Sequence, residues 1–210
     1  MIDKKALYAI QQGVYVFTTL DGERPVGRIV DAVSQVAAEP KRVSVALMKE
    51  GFTSRAILIT RHFVLTVLAE DAPMGVIESF GYRSSESADK FEGFDVKTDE
   101  AGVAYVTDGA VARMSCEVAK VLDMGSHLLV IGDVTEAEVY STAEPMTYGG
   151  FRKAKAAAKA AKAAKAEAPA PKPKTQWRCM ICGHIIEADE LPEDFVCPVC
   201  GVSRDMFERV

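Results

Sequence analysis

The chain has 210 residues, 49% of them hydrophobic and 26% charged, with a net charge of −5. That length admits one full domain and a small second one, and the composition is that of a globular protein, not of a fibrous or disordered one. No apolar run is long enough to span a bilayer and the opening Met-Ile-Asp-Lys-Lys has no secretory signature, so a membrane role is excluded and a cytoplasmic protein is expected.

Residues 1–151 read as the main domain. Asp3 to Gln12 has the apolar spacing of a short helix, with Leu7 and Ile10 on one side and Gly13 ending it. β-rich runs follow at Val14–Leu20, Pro25–Val36, Arg42–Leu47, Phe63–Leu68, Val103–Val106, Ala110–Leu122 and His127–Val139. Turn signals such as Asp21-Gly22, Glu39-Pro40, Asp108-Gly109 and Met124-Gly125 separate them. Helices are expected over about 52–60 and 73–80, with His62 as a partner for the end of the first. Many antiparallel strands with scattered helices indicate a mainly β barrel or sandwich. No G-x-G-x-x-G or P-loop occurs, so no standard dinucleotide or triphosphate motif is signalled. Cys116, in an alternating strand-like run, reads as an inert core residue.

Two stretches carry the residue types that bind an anion. Lys49-Glu-Gly-Phe-Thr53-Ser54 puts an ammonium and two hydroxyls at a predicted helix start, where backbone N–H groups also point outward. Phe80-Gly-Tyr-Arg83-Ser84-Ser85 through Asp89-Lys90-Phe91 is a second loop of the same character. Each alone is also what an ordinary capped helix looks like.

In order, the segments resemble the flavin-reductase-like FMN-binding domain, a split β-barrel. The matching pieces are Gly27-Arg-Ile-Val-Asp31-Ala32-Val33-Ser34-Gln35-Val36 before Glu39-Pro40, Lys49 with Thr53, Phe80-Gly81-x-x-Ser84 before Asp89-Lys90-Phe91, His127-Leu-Leu-x-x-Gly132-Asp-Val134, and Pro145-Met-Thr-Tyr148. The resemblance implies FMN contacts at Asp31, Ala32, Val33, Lys49, Thr53, Ser54, Arg83, Ser84 and Lys90, and a homodimer in which a second subunit completes the pocket. It makes His127 a candidate catalytic neighbour of the flavin or of a nicotinamide. Three positions depart from the usual pattern: Asp31 stands for asparagine, Met48 for serine and Ser85 for glycine.

Residues 152–175 form an Ala/Lys/Pro-rich linker. Its alanine-lysine part has high helix propensity but no face to bury, so it reads as a partly formed helix running into an extended Pro-alternating stretch. With eight basic residues and one acidic over 152–174, it carries +7 beside acidic neighbours and has no interleaved aromatics. It therefore reads as a tether, not a nucleic-acid tail.

Residues 176–210 contain Cys179-x-x-Cys182-Gly183-His184 and Cys197-x-x-Cys200-Gly201. Two such pairs make a tetrahedral four-thiolate site, open to zinc or iron by spacing alone. The segment is too short to fold on its core, so metal binding supplies much of its folding free energy. Ligand thiolates must stay reduced, which fits the cytoplasm. Trp177, Leu191-Pro-Glu-Asp-Phe195, Cys197-Pro-Val-Cys-Gly201 and Phe207 resemble rubredoxin, which implies one iron carrying one electron, with Ile181, Phe195, Val196 and Val199 screening the sulfurs. His184 then lies on the surface. Three basic and seven acidic residues give this segment −4, suited to docking on a positive partner surface.

The combined resemblance is to the high-molecular-weight rubredoxin type. It implies an NAD(P)H-dependent oxidoreductase passing electrons through FMN to the iron, then to a flavodiiron protein reducing O2 or NO, or to a rubrerythrin. Two alternatives stand beside it: an electron carrier fed by a separate reductase, and a flavin reductase with a structural zinc tail.

Overall fold

The computed structural model describes residues 2–156 and 175–210, which fall in two compact units, Met1–Ala158 and Lys159–Val210. In the first, strands β1 (Tyr15–Asp21), β2 (Arg24–Val30), β3 (Val33–Ala37) and β4 (Arg42–Met48) precede helix α1 (Phe52–Thr60). Then come β5 (His62–Leu68), helix α2 (Met74–Tyr82), the short hairpin β6 (Val96–Thr98) and β7 (Ala104–Val106), and two long strands, β8 (Ala110–Asp123) and β9 (His127–Val139). Residues 148–156 are helical.

Seven strands form one sheet in the order β2-β1-β5-β8-β9-β4-β3. The chain passes from β2 to β3 through Asp31 and Ala32 alone, although these strands are opposite edges of that sheet. So short a step is geometrically open only if the sheet curls until its edges meet. β2 and β4 are accordingly in contact, and the result is a barrel split at that seam. Register shifts at Ser115/Cys116 and Val118/Lys120 let the long β8 bend around the curve.

The barrel interior holds Phe17, Val45, Phe63, Leu65 and Val130, with Ile57 of α1 packed in and the Phe17 and Phe63 rings stacked 5.1 Å apart. Side chains alternate along a strand, so Val14 and Val16 point the other way. There they meet Leu68, Val76, Ile77 and Phe80, which seat α2 on the outside of the sheet. β1 is therefore covered on both faces. Cys116 lies in the interior at 1% exposure, and burial, aided by Asp133 and Asp99, pushes its thiol up to about 12; it is an inert core residue.

Three sequence expectations change, and a fourth is met as far as the described residues reach. The run 25–36 breaks at Asp31 to become two strands on opposite edges. The amino-terminal helix is a 3-10 helix, Lys4–Ala9, with Leu7 and Ile10 exposed, since no core among the described residues covers them. His62 opens β5 and pairs with Glu117; the end of α1 is closed by Arg61, left-handed at φ 63, whose N–H reaches the Ile57 carbonyl. Residues 152–156 are helical, as expected for the start of the alanine-lysine part, while 157–174 lie outside the described residues.

The second unit is a three-stranded sheet, β10 (Gln176–Cys179), β11 (Ile185–Glu187) and β12 (Phe207–Arg209), ordered β11-β10-β12. Its small core gathers Cys179, Leu191, Cys197 and Phe207, with Trp177 and Phe195 against them. Trp177 Nε1 donates to the Ala188 carbonyl at 3.1 Å.

Gly132 faces the fully buried Phe63 ring. A Cβ there would sit 2.6 Å from that ring and 2.9 Å from Cys116 Cβ, and neither neighbour can retreat. Gly132→Ala is expected to cost about 1–3 kcal/mol by overpacking, read as a lower denaturant midpoint with unchanged slope.

Candidate functional site

A cleft of about 360 Å³ opens in the first unit between β2, the start of α1 and the end of α2. It is lined by three cationic side chains, Arg28, Arg83 and Lys90, with Thr53 and Ser84 among its hydroxyls, and no carboxylate lines it. Its walls are clipped together around Gly27 of β2. Lys90 Nζ donates to the carbonyls of Gly27 at 2.8 Å and Phe80 at 3.1 Å. Ser85 Oγ donates to the Gly27 carbonyl at 2.9 Å and accepts from its N–H at 3.2 Å. Ser79 Oγ holds the Lys90 carbonyl at 2.9 Å. The departure at Ser85 is thus structural: this buried hydroxyl binds the 80–90 segment to the barrel.

The electrostatics favour an anion. Burial, then the charges of Arg28 and Arg83, lower Lys90 to about 8. Arg28 is lowered as well, by burial, with Asp31 acting in the opposite direction. Three cations this close repel one another and lose solvation; a bound anion relieves both penalties.

Of the residues singled out from sequence, Thr53, Arg83, Ser84 and Lys90 come together in this cleft. The others do not line it. Ser54 is fully buried and donates to the Met48 carbonyl at 2.7 Å, fixing the turn into α1. Lys49 makes an ion pair with Asp123 at 2.5 Å that holds the ammonium above its ordinary range and the carboxylate below its own. Asp31, Ala32 and Val33 form the seam itself, where Ala32 accepts from Ala46 N–H at 3.1 Å and Val33 pairs with Val45. His127 lies half-buried across from Met48, its Nδ1 2.8 Å from Ser126 Oγ. Sequence reasoning passed over Arg28. A lone arginine within a β-rich run carries no motif, and only the fold brings it against the start of α1.

In the second unit the four ligand sulfurs of Cys179, Cys182, Cys197 and Cys200 all lie within 4.8 Å of one another. Cys179 and Cys200 sulfurs are 3.7 Å apart, and Cys182 and Cys197 sulfurs 3.6 Å. A tetrahedral metal with bonds of about 2.3 Å needs edges of about 3.8 Å, so the cage is nearly at coordination size. Gly183 and Gly201 adopt φ of 74° and 71°, turning each knuckle back under its cysteine pair. Backbone N–H groups of Ile181 and Cys182 then reach the Cys179 sulfur, those of Val199 and Cys200 the Cys197 sulfur, and single N–H groups of His184 and Val202 the sulfurs of Cys182 and Cys200. Such bonds stabilise thiolate charge in a metal-bound cage. The cage is lopsided: Cys179 and Cys197 are buried, Cys182 and Cys200 exposed. Ile181, Val196 and Val199 are 60%, 58% and 64% exposed, so they do not form the expected screen. Phe195, the fourth residue expected there, does pack about the inner pair, together with Leu191 and Phe207.

Residues 7–156 match the family described as the flavin reductase like domain, and residues 177–208 the rubredoxin-like domain of rubrerythrin. The chain belongs to the flavin reductase like family and carries a rubredoxin-like domain at its end. It is similar over its whole length, at 31% identity, to the high molecular weight rubredoxin of Moorella thermoacetica, itself covered completely. It is 36% identical to a ferric-chelate reductase (NAD(P)H) of Archaeoglobus fulgidus, over 73% of this chain and 91% of that one. Among solved structures, a Streptomyces globisporus NADH:FAD oxidoreductase superposes with a TM-score of 0.64 over 71% of this chain and 93% of that one, at 23% identity. Membership makes this flavin reductase-fold protein an oxidoreductase whose first unit works with flavin and whose cysteine cage is of the iron-holding rubredoxin type.

Because an anion favours protonated Lys90, binding draws in a proton above the lysine's pKa of about 8. Affinity is therefore full below that value and falls as pH rises through it. Sulfate, which does not titrate here, is expected to bind more weakly at pH 9.5 than at pH 7, and Lys90→Arg, which stays charged, should flatten the profile; calorimetric titration reads both.

Proposed function

We propose that this chain takes electrons from NADH or NADPH at a flavin held in the first unit, passes them singly to iron in the cysteine cage, and delivers them to a separate acceptor protein. The observation that carries this reading is the presence, in one chain, of a carboxylate-free cationic cleft and a four-sulfur cage of coordination size. A bound FMN would take a hydride, two electrons at once, from the nicotinamide and release them one by one, as a four-thiolate iron requires. In this reading the phosphate lies among Thr53, Arg83, Ser84 and Lys90, and Asp31, Ala32 and Val33 present backbone and short side chains along the ring system. Ser54 acts by fixing the turn into α1 through the Met48 carbonyl, while Lys49 stays paired with Asp123, outside the cleft lining. His127, half-buried at the start of β9 opposite Met48, is in this reading the residue next to flavin or nicotinamide.

The acceptor in this reading is a flavodiiron protein or a rubrerythrin, met through the acidic surface of the second unit. A homodimer is supported by the exposed Leu7, Tyr8 and Ile10 of the first segment, an apolar group that a second copy would cover. No helix among the described residues is long and apolar enough to cross a membrane, and the cage needs reduced thiols, which supports a cytoplasmic setting.

Anaerobic NADPH or NADH is expected to bleach the flavin absorbance and then the ferric absorbance of the purified protein. Cys179→Ser should leave nicotinamide oxidation by free dyes intact and abolish transfer to the acceptor. Loss of both activities together would defeat the series order, and no bleaching at all would make the chain a carrier fed by another reductase.

A further inference from the structure

Arg28 is a cation of the cleft that no hydrogen-bond or ion-pair partner among the described residues explains. It sits half-buried on β2, two residues before the barrel seam closes, and its guanidinium pays for that position in lost hydration. Among the described residues its side chain donates no hydrogen bond and joins no ion pair; Asp31 acts on it only through longer-range attraction. Its Nη1 lies 2.8 Å from where a Cβ on Gly51 would stand, so only the bare backbone there lets the guanidinium lie against the turn into α1. Lys90, the cleft's deepest cation, already spends two of its three N–H bonds on backbone carbonyls. Lys49, the cation that the sequence motif assigns to this role, is committed to Asp123 and does not line the cleft.

We propose that Arg28, and not Lys49, grips the phosphate of the bound flavin and sets the cleft's preference for FMN over unphosphorylated riboflavin. This rests on the flavin reading above. A guanidinium offers five N–H donors in a planar fork that matches two phosphate oxygens at once, which an ammonium cannot reproduce. Arg28, on β2, and Arg83, just past α2, both line the cleft, so a phosphate held there can be met from two elements. The cost of holding an unpaired, partly desolvated arginine is then recovered when the ligand arrives.

The test is fluorescence-quenching titration of the apo protein with FMN and with riboflavin, for the parent chain, Arg28→Met, Arg28→Lys and Lys49→Met. Arg28→Met should weaken FMN about 10- to 150-fold, the range for a hydrogen bond to a charged group, while riboflavin changes less than about threefold. Retained riboflavin binding shows that the variant folds. Arg28→Lys should keep the charge, lose the fork and fall between; should Arg28→Met not fold, this variant against the parent decides. Lys49→Met should shift FMN less than about threefold. The assignment is overturned if Arg28→Met leaves FMN unchanged, if it weakens both flavins equally, or if the loss appears only for NADP+ titrated onto flavin-loaded protein. A parent chain that binds FMN no better than riboflavin would overturn the flavin-phosphate reading as well, which separates the two failures.

Discussion

The closure of the sheet through Asp31 and Ala32 is the constraint on which the first unit depends. A connection that short leaves one solution, in which the outermost strands come together and leave a seam where hydrogen bonding stops. Backbone that is not fully committed to a ladder is available for a ligand, and side chains from elements distant in sequence converge there. β2 brings Arg28 to that edge, β4 brings the turn into α1, and the segment after α2 is pulled across by Lys90 and Ser85. The cleft is a consequence of how the barrel closes, not an addition to it.

Both candidate sites are arranged at a cost that a guest would repay. In the cleft, three cations share a carboxylate-free wall, and one of them is pushed toward neutrality by its surroundings. In the cage, four sulfurs stand 3.6–3.7 Å apart in pairs, with backbone N–H groups aimed at charge that only a metal makes tolerable. Anything that binds the folded state alone stabilises it by mass action, so each guest also holds its unit together. The second unit leans on this more heavily, since its core is four buried residues and a few partly covered ones.

Much of this is legible in the sequence, and the parts that are not share a cause. The long strands, α1 and α2 are local patterns, and the cysteine cage is two knuckles with their glycines; periodicity and spacing report both. The break at Asp31 is not local, because the residues on either side alternate as one strand would, and only closure of the far edge forces the bend. The same holds for the site. Thr53, Arg83, Ser84 and Lys90 belong to recognisable stretches and do meet. Arg28 is anonymous until β2 is laid beside α1, and Lys49 loses its assigned place to an ion pair with Asp123, 74 residues away in the chain. The exposed Ile181, Val196 and Val199 make the same point, since apolar residues beside a ligand cysteine can face either the sulfur or the solvent.

That last arrangement gives the cage a direction. With Cys179 and Cys197 sealed against Leu191 and Phe207, and Cys182 and Cys200 open to solvent, the metal's thiolate shell is insulated on one side and reachable on the other. Exchange of an electron with any partner is shortest through the open pair. The uncovered side chains around it, Met180, Ile181 and Val199, present an apolar rim that can be dehydrated briefly without burying a charge, while the unit's net negative charge lies outside that rim's own composition. An apolar contact ring favours close approach, and long-range charge favours orientation over tight holding. On the series proposed above, a module that receives from one site and gives to another needs that combination: encounters frequent enough to pass single electrons, and no contact strong enough to detain it.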